Sequence, residues 1–530
     1  MRKGKIFFTA TTFVFLVGIY PVMAILGNNV SEVNIQVVFR PLLLSLLFSS
    51  VVGAVIFVFA RDAAKTALLT GLALILFFSY GHLYYLVEGF KIGSSIIGRH
   101  RYLVLLYLSL YTVIGYGIIS RKQSPVGILQ IFNVMAAALI VFPIFQIGSY
   151  QVRDAIAESR AMKEAEPKAQ SQTPIPAGQD FPDIYYIILD TYARDDVLKQ
   201  DMGFDNSAFL DDLIQLGFYI GECSQSNYGQ TQLSLASSLN MNYLTELGSF
   251  APDSTDRTAL DNLIEYSAVR ANLESRGYRT VSLSAYEPLK IESAAVSIST
   301  DPKEISGDLG SATINEFEAL FIKSTALRAL IDRPQLRHLE IVRMINYPYR
   351  DHIIQQRFIL KTLKEIPDIP GPKFVFVHIQ IPHAPLVFGP EGQVVDDPPP
   401  FPSDPARPVP PERAKQLFSD QVAFINREIM EVLPAILDHP GPRPVIIIQG
   451  DHGPNVSMRT AVLNAYYLPV DVQAHLYPKI TPVNTFRLIM DYMFGTKLGL
   501  LKDASYNSSY EKPYLYEEME ETRDICISGP

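Results

Sequence analysis

The chain has 530 residues, enough for two to four domains, with 48% hydrophobic and 19% charged side chains. Residues 1–150 hold 11 of the 45 Lys+Arg and 3 of the 54 Asp+Glu, a net of +8, which leaves 34 basic against 51 acidic side chains, a net of −17, for the rest. That acidic second part argues against a nucleic-acid binder, whose affinity rests on Lys and Arg against phosphates, and two cysteines argue against a disulfide-rich scaffold or a Cys-ligated zinc module.

Five apolar runs come first, at about 5–27, 37–60, 67–87, 102–119 and 127–148. Each approaches the ~20 residues that a bilayer-spanning helix needs, so residues 1–149 read as a five-helix transmembrane domain. A cleaved signal peptide competes for the first run, but four more spans follow and no A-x-A-like site closes it. With the N-terminus inside, Arg2, Lys3, Lys5, Arg61, Lys65, Arg121 and Lys122 fall on the cytoplasmic side, and Lys91, Arg99 and Arg101 on the other. That bias predicts a cytoplasmic N-terminus in the cell (inner or plasma) membrane, and places everything after residue 148 in the periplasm or cell exterior. Without Trp, any aromatic belt falls to the 28 Tyr. Arg40 and His82, near or within spans, read as snorkelling or interfacial side chains, or as contacts for a lipid headgroup.

Residues 150–182 begin as a polar helical segment and end rich in Pro, Gly and Gln, the composition of a tether. Beyond them strands alternate with helices. DIYYIILD (183–190), YRTVSLSA, KFVFVHIQ (373–380), RPVIIIQGD (443–451) and VLNAYYLPV (462–470) read as strands. Helices are expected over 206–217, from 231, over 263–277, over about 313–332 and 337–365, and over 412–437. This alternation predicts an α/β domain over 183–496, a mostly parallel sheet with helices on both faces, extended by 497–530. Residues 389–413 hold nine prolines and read as a surface loop, either a lid or a plain excursion.

Open α/β sheets bind ligands at the carboxyl ends of their strands. Three strand ends here carry ionisable residues: Asp190, His383 in IPHAPLVF, and the pair Asp451-His452. One strand-end Asp is ordinarily a turn former or cap; three such ends in one domain suit a single divalent cation, Zn2+ or Mn2+, held by carboxylate and imidazole. Thr231 follows a Ser-Asn-Tyr-Gly turn and opens a helix, where a cation and a helix N-terminus would both favour its alkoxide. Taken alone, Thr231 or Ser234 is an ordinary cap or helix-surface residue.

The segments DIYYIILDTYARDD, SNYGQTQLSLASSL, HIQIPHAP and VIIIQGDHGPN, in that order, resemble the alkaline phosphatase/sulfatase superfamily. Five spans followed by an outside-facing domain resemble its membrane-anchored, sulfatase-like members, the lipoteichoic acid synthases and lipid A phosphoethanolamine transferases. The resemblance implies Asp190, Thr231, Asp451 and His452 as metal ligands, Thr231 as nucleophile, and His383 as the residue that contacts the transferred group or protonates the leaving oxygen. Arg194 and Asn227, in matching segments, are implied as phosphate-oxygen ligands. His378 reads as a core residue or a support for a ligand.

The chain also departs from the pattern. Thr231-Gln-Leu-Ser234 lacks the Pro and Arg of the sulfatase C-x-P-S-R motif, so formylglycine chemistry on sulfuric esters is not expected. No second Asp-x-x-x-His ligand pair surrounds His383, which favours one metal. Cys223 and Cys526 both fall outside the membrane, where a disulfide is permitted. The resemblance thus implies a transferase that moves a phospho-group from a lipid-linked phosphodiester through phosphothreonine, with membrane lipid as its partner, no nucleic acid, and no protein partner inferable. A phosphatase or phosphodiesterase that uses water, and a non-catalytic membrane sensor or binding protein, are the alternatives.

Overall fold

Five apolar helices open the chain: α1 (Lys3–Asn28), α2 (Phe39–Ala60), α3 (Ala63–Val87), α4 (His100–Ile119) and α5 (Val126–Gln170). All five are long and apolar enough to cross a membrane, and α2 and α4 leave most of their apolar side chains exposed, as lipid-facing helices do. The computed structural model describes every residue except 1–2, 31–32, 93–94, 97, 171–180, 249, 307–313, 402–408, 455–458 and 520–530. Cys526, and with it the question of a Cys223–Cys526 disulfide, and parts of the tether and of the proline-rich stretch therefore lie outside the described residues.

The chain divides into two compact units. The first combines Met1–Arg153 with Ser311–Arg350, so the helices Glu316–Lys323, Arg328–Ile331 and Glu340–Asn346 belong with the apolar helices and not with the sheet that surrounds them in sequence. The helical patterns read over 313–332 and 337–365 are both interrupted here. In the first, the hydroxyls of Ser324 and Thr325 bond to Phe321 O and Ile322 O, and the Leu327 N–H donates to Thr325 Oγ1, which draws the backbone out of the helix. In the second, Pro348 between Tyr347 and Tyr349 removes a donor and ends the turn. Arg40 is the two-pronged partner of Glu318; His82 is exposed on α3.

The second unit is built on a seven-stranded sheet of β1 (Ile184–Leu189), β2 (Tyr219–Ile220), β3 (Arg279–Ser284), β4 (Val296–Ser297), β5 (Lys373–Ile379), β6 (Val445–Gly450) and β7 (Asn464–Tyr467), in the order β2-β7-β6-β1-β5-β3-β4. The five strands from β6 to β4 run parallel, while β7 and β2 add antiparallel pairs at one edge. Every residue of β1, β5 and β6 is buried. That is why these strands read as unbroken apolar runs: both faces are covered. On one face Ile184, Tyr186 and Ile188 pack with Leu233, Leu235 and Leu239 of α6 (Thr231–Leu239) and with residues from Phe486 to Met490 of a later helix. The other long helices of the unit are α7 (Arg350–Leu363), α8 (Pro411–Leu437) and α9 (Pro482–Phe494). The helix expected over 263–277 is instead two short ones, Thr258–Glu265 and Ala268–Glu274, because the Ala268 N–H turns to donate to Asn240 Oδ1.

Register decides what sits at the carboxyl edge. Leu189 is paired with both Ile379 and Gly450, so the next residues, Asp190 and Asp451, leave adjacent strands at the same height. Gly450 is required there, since a Cβ on it would lie 2.2 Å from the Tyr192 carbonyl oxygen of the loop that carries Asp190 away.

Candidate functional site

Asp190, Asp451 and His452 each present a ligand atom within 4.8 Å of the others, and all three are buried. His452 Nε2 lies 3.5 Å from Asp451 Oδ2, 3.9 Å from Asp190 Oδ1 and 3.2 Å from Thr231 Oγ1. Its Nδ1 is 2.9 Å from Gly453 O, an acceptor, so the ring proton belongs on Nδ1 and the Nε2 lone pair faces the two carboxylates. A ring nitrogen and two buried carboxylates thus converge on one point, the arrangement of donor atoms that a cation takes. Asp451 Oδ2 is moreover buried without a hydrogen-bond partner among the described residues. Two carboxylates, an imidazole nitrogen and a hydroxyl are the donors that a borderline divalent cation takes, so the residues fit such an ion.

Thr191 holds the two carboxylates in register. Its N–H donates to Asp451 Oδ1 at 2.9 Å and its hydroxyl to Asp190 Oδ1 at 2.9 Å. It does so with φ of 66°, a left-handed conformation that a β-branched residue adopts only under constraint.

Thr231 is the first residue of α6 and is half-exposed, while Gln232 through Leu239 are all buried. Only Thr231 of this helix can therefore meet a ligand. Ser234, the other hydroxyl in question, is fully buried. The first N–H groups of a helix lack intrahelical acceptors and carry partial positive charge, which favours an anion beside Thr231.

His383 donates its backbone N–H to Asp190 O at 3.1 Å and is half-buried, with its ring edge-on to Phe401. Its Nδ1 lies 2.5 Å from Ala384 O, which fixes a proton on that nitrogen and leaves Nε2 to exchange one. His378 is completely buried on β5, with Nε2 3.3 Å from Asp190 Oδ2. Burial alone would raise the Asp190 carboxyl; the imidazoles of His383, His378 and His452 outweigh it and hold the group well below the usual carboxylate range.

Arg194 and Asn227 are placed differently from the other expected site residues. The Arg194 guanidinium is taken by Asp196, at 2.7 and 2.8 Å, and by Ser224 O at 3.0 Å. The Asn227 amide bonds Ala504 O and accepts the Val483 N–H. Both tie loops together and are not turned to the cluster by these bonds. Two residues that the sequence did not single out interact electrostatically with its members. Arg459, seven residues beyond His452, anchors its Nε on Gly229 O at 2.6 Å. Burial lowers its guanidinium, and the charges of the Asp451 and Asp190 carboxylates counter that. His352, on α7, is buried and pushed down to about 3, by burial first and then by the charge of His383. Nothing in the local sequence of either marks it; only the packing of distant segments brings it in.

No family model and no curated protein matches the chain. Among solved structures it is similar to the integral membrane lipooligosaccharide phosphoethanolamine transferase A of Neisseria meningitidis, at 10% identity and TM-score 0.36, over 92% of this chain and 95% of that one. It is similar to the C-terminal periplasmic domain of EcEptC from Escherichia coli, at 11% identity and TM-score 0.37, over 66% of this chain and 96% of that one. It is also similar to a sulfatase structure from Bacteroides thetaiotaomicron, at 12% identity and TM-score 0.37, over 62% of this chain and 74% of that one. At such identity the chemistry has to be read from the site itself.

Proposed function

We propose that the second unit is a metal-dependent phospho-group transferase in which Thr231 attacks phosphorus and carries the group as phosphothreonine. The observation that supports this most is the meeting of a half-exposed hydroxyl at a helix N-terminus with a buried Asp190–Asp451–His452 cluster. A single divalent cation, Zn2+ or Mn2+, held by Asp190, Thr231, Asp451 and His452, would supply Lewis-acid charge that eases ionisation of the hydroxyl and offsets charge on phosphoryl oxygens.

The residues of the chain divide the remaining work. Thr231 Oγ1 forms a bond to phosphorus as the bond to the leaving alcohol breaks. His383, with Nδ1 tied to Ala384 O, gives the Nε2 proton to the departing oxygen. Arg459 and the N-terminus of α6 counter the negative charge on the phosphoryl oxygens. An acceptor alcohol then attacks phosphorus, gives its proton back to His383 and frees Thr231. Thr191 and His378 keep Asp190 and Asp451 oriented through both steps. Five membrane-spanning helices tether this site to a bilayer, so the substrate class proposed is a lipid-linked phosphodiester. The Lys/Arg bias puts the N-terminus in the cytoplasm and the site on the opposite side of the cell membrane.

Mass spectrometry of the Thr231 peptide, after the full chain has been incubated with phospholipid, tests the proposal. The expected result is a mass increase equal to one phospho-headgroup, absent in Thr231→Ala along with turnover. Near wild-type turnover by Thr231→Ala would remove the covalent step.

A further inference from the structure

Residues 314–346 hold the apolar helices by groups that all lie at one end of them. Arg40, near the N-terminus of α2, pairs with the buried Glu318. Glu88, which caps the C-terminus of α3, lies 3.1 Å from Arg328, and both side chains are buried. His100, the first residue of α4, lies 3.1 Å from Asp332 and stacks on Tyr84 with 3.7 Å between ring centres. The backbones also join directly: the Gly81 N–H donates to Ser324 O at 2.9 Å, and Ala326 donates to Phe77 O at 2.8 Å. Glycine is needed at 81, because a Cβ there would lie 2.1 Å from Lys323 O.

These two backbone bonds fix a depth. Phe77 lies ten residues before the end of α3 at Val87; at 1.5 Å per residue that is about 15 Å along the helix. The segment therefore runs down the flank of the last turns of a membrane span and does not merely rest on its end.

Its inner side is apolar, with Phe317, Phe321, Ile331, Val342 and Ile345 buried. Its outer side is apolar as well: Leu320, Leu327, Leu330, Leu339 and Ile341 are each 40–53% exposed. Arg333, Arg337 and Arg343 are exposed among them. Short helices with apolar groups on both sides and cations between suit the boundary of headgroups and acyl chains, where leucines sink and guanidinium groups reach the phosphates.

We propose that this face is immersed in the leaflet at the α2 N-terminal end of the spans, with Arg333, Arg337 and Arg343 binding anionic lipid headgroups. The contacts that carry this lie within the first unit, and it stands whether or not Thr231 is a nucleophile.

Because the chain contains no Trp, a single introduced one is a unique reporter. Leu330→Trp and Ile341→Trp are each placed in the full chain, in phosphatidylcholine vesicles with plain or brominated acyl chains. Phe59→Trp, 83% exposed on α2, gives the response of a lipid-facing position. Two positions are used so that a variant that misfolds leaves the other readable. The expected result is loss of most of the emission in brominated lipid, as for Phe59→Trp. Emission that survives brominated lipid overturns the proposal, whether acrylamide reaches the Trp, which means water, or does not, which means a protein partner or a second copy. Replacing part of the lipid with brominated phosphatidylglycerol should quench Leu330→Trp more than the same share of brominated phosphatidylcholine does. Arg333→Gln/Arg337→Gln/Arg343→Gln should abolish that difference. Equal quenching by both lipids in the protein that keeps its arginines overturns the anionic selectivity.

Discussion

Replacing Asp451 by Asn should make the metal-free protein more stable and the metal-loaded protein less so. Asp451 is fully buried, with Oδ1 on the Thr191 N–H and Oδ2 without a hydrogen-bond partner among the described residues. Its ligand oxygen lies within 4.8 Å of that of Asp190, a separation at which two carboxylates repel by roughly 3 kcal/mol at an effective dielectric constant of about 20. The surrounding imidazoles remove part of this, leaving about 1–3 kcal/mol. Asn keeps the oxygen that accepts from Thr191 and loses only the charge. In EDTA, Asp451→Asn should therefore unfold later than wild type by about that free energy. With Zn2+ or Mn2+ at about one hundred times its dissociation constant, wild type should gain about 2.7 kcal/mol, and the variant almost nothing. Unfolding of the full chain in detergent, followed by tyrosine fluorescence with and without metal, reads both arms. The reasoning is refuted if the variant is less stable than wild type in EDTA, or if metal stabilises the two equally.

Thr231→Ala should abolish turnover yet shift stability by no more than about 1 kcal/mol, since it removes one hydrogen bond at a half-exposed residue, and denaturant midpoints beside activity check this. Arg459→Ala should lower kcat by about 100- to 1,000-fold while metal binding, measured by titration, is retained. Gly450→Ala should cost about 2 kcal/mol or more, because the added methyl would meet the Tyr192 carbonyl at 2.2 Å, and should weaken metal affinity with it, by unfolding and titration. His352 is held at about 3 in the folded protein, by burial first and then by His383, so between the ordinary histidine value and 3 only the unfolded chain takes its proton. Stability should therefore be lost as pH falls through that window, by up to about 1.4 kcal/mol per pH unit, and His352→Gln should flatten the denaturant-midpoint profile between pH 7 and pH 5.

The parts of the molecule set by short-range pattern were legible from the residues alone. The five spans are runs of apolar side chains, and β1, β5 and β6 are strands buried on both faces, so each announced itself without its partners. Asp190 and Asp451-His452 stood out for a related reason: a buried apolar strand that stops on an ionisable residue is hard to explain by packing. The residues missed are those whose position depends on distant chain. Arg459 is anchored on Gly229 O and feels the charges of Asp451 and Asp190, and His352, on α7, feels those of His383 and Asp190. The same holds for 311–350, whose apolar periodicity resembled ordinary helices of the sheet unit, although its partners Arg40, Gly81, Glu88 and His100 come from the spans. Arg194 and Asn227 show the converse. Their neighbours in sequence suggested a ligand role, and the fold uses them for Asp196, Ser224, Ala504 and Val483.

Anomalous diffraction at the metal edge, from crystals of the full chain equilibrated with Zn2+, locates the ion directly. The predicted result is one strong peak per chain enclosed by the carboxylates of Asp190 and Asp451, Nε2 of His452 and Oγ1 of Thr231. A saturated crystal with no density at that point, or with its only zinc bound elsewhere, would contradict the reading of this cluster as a catalytic centre.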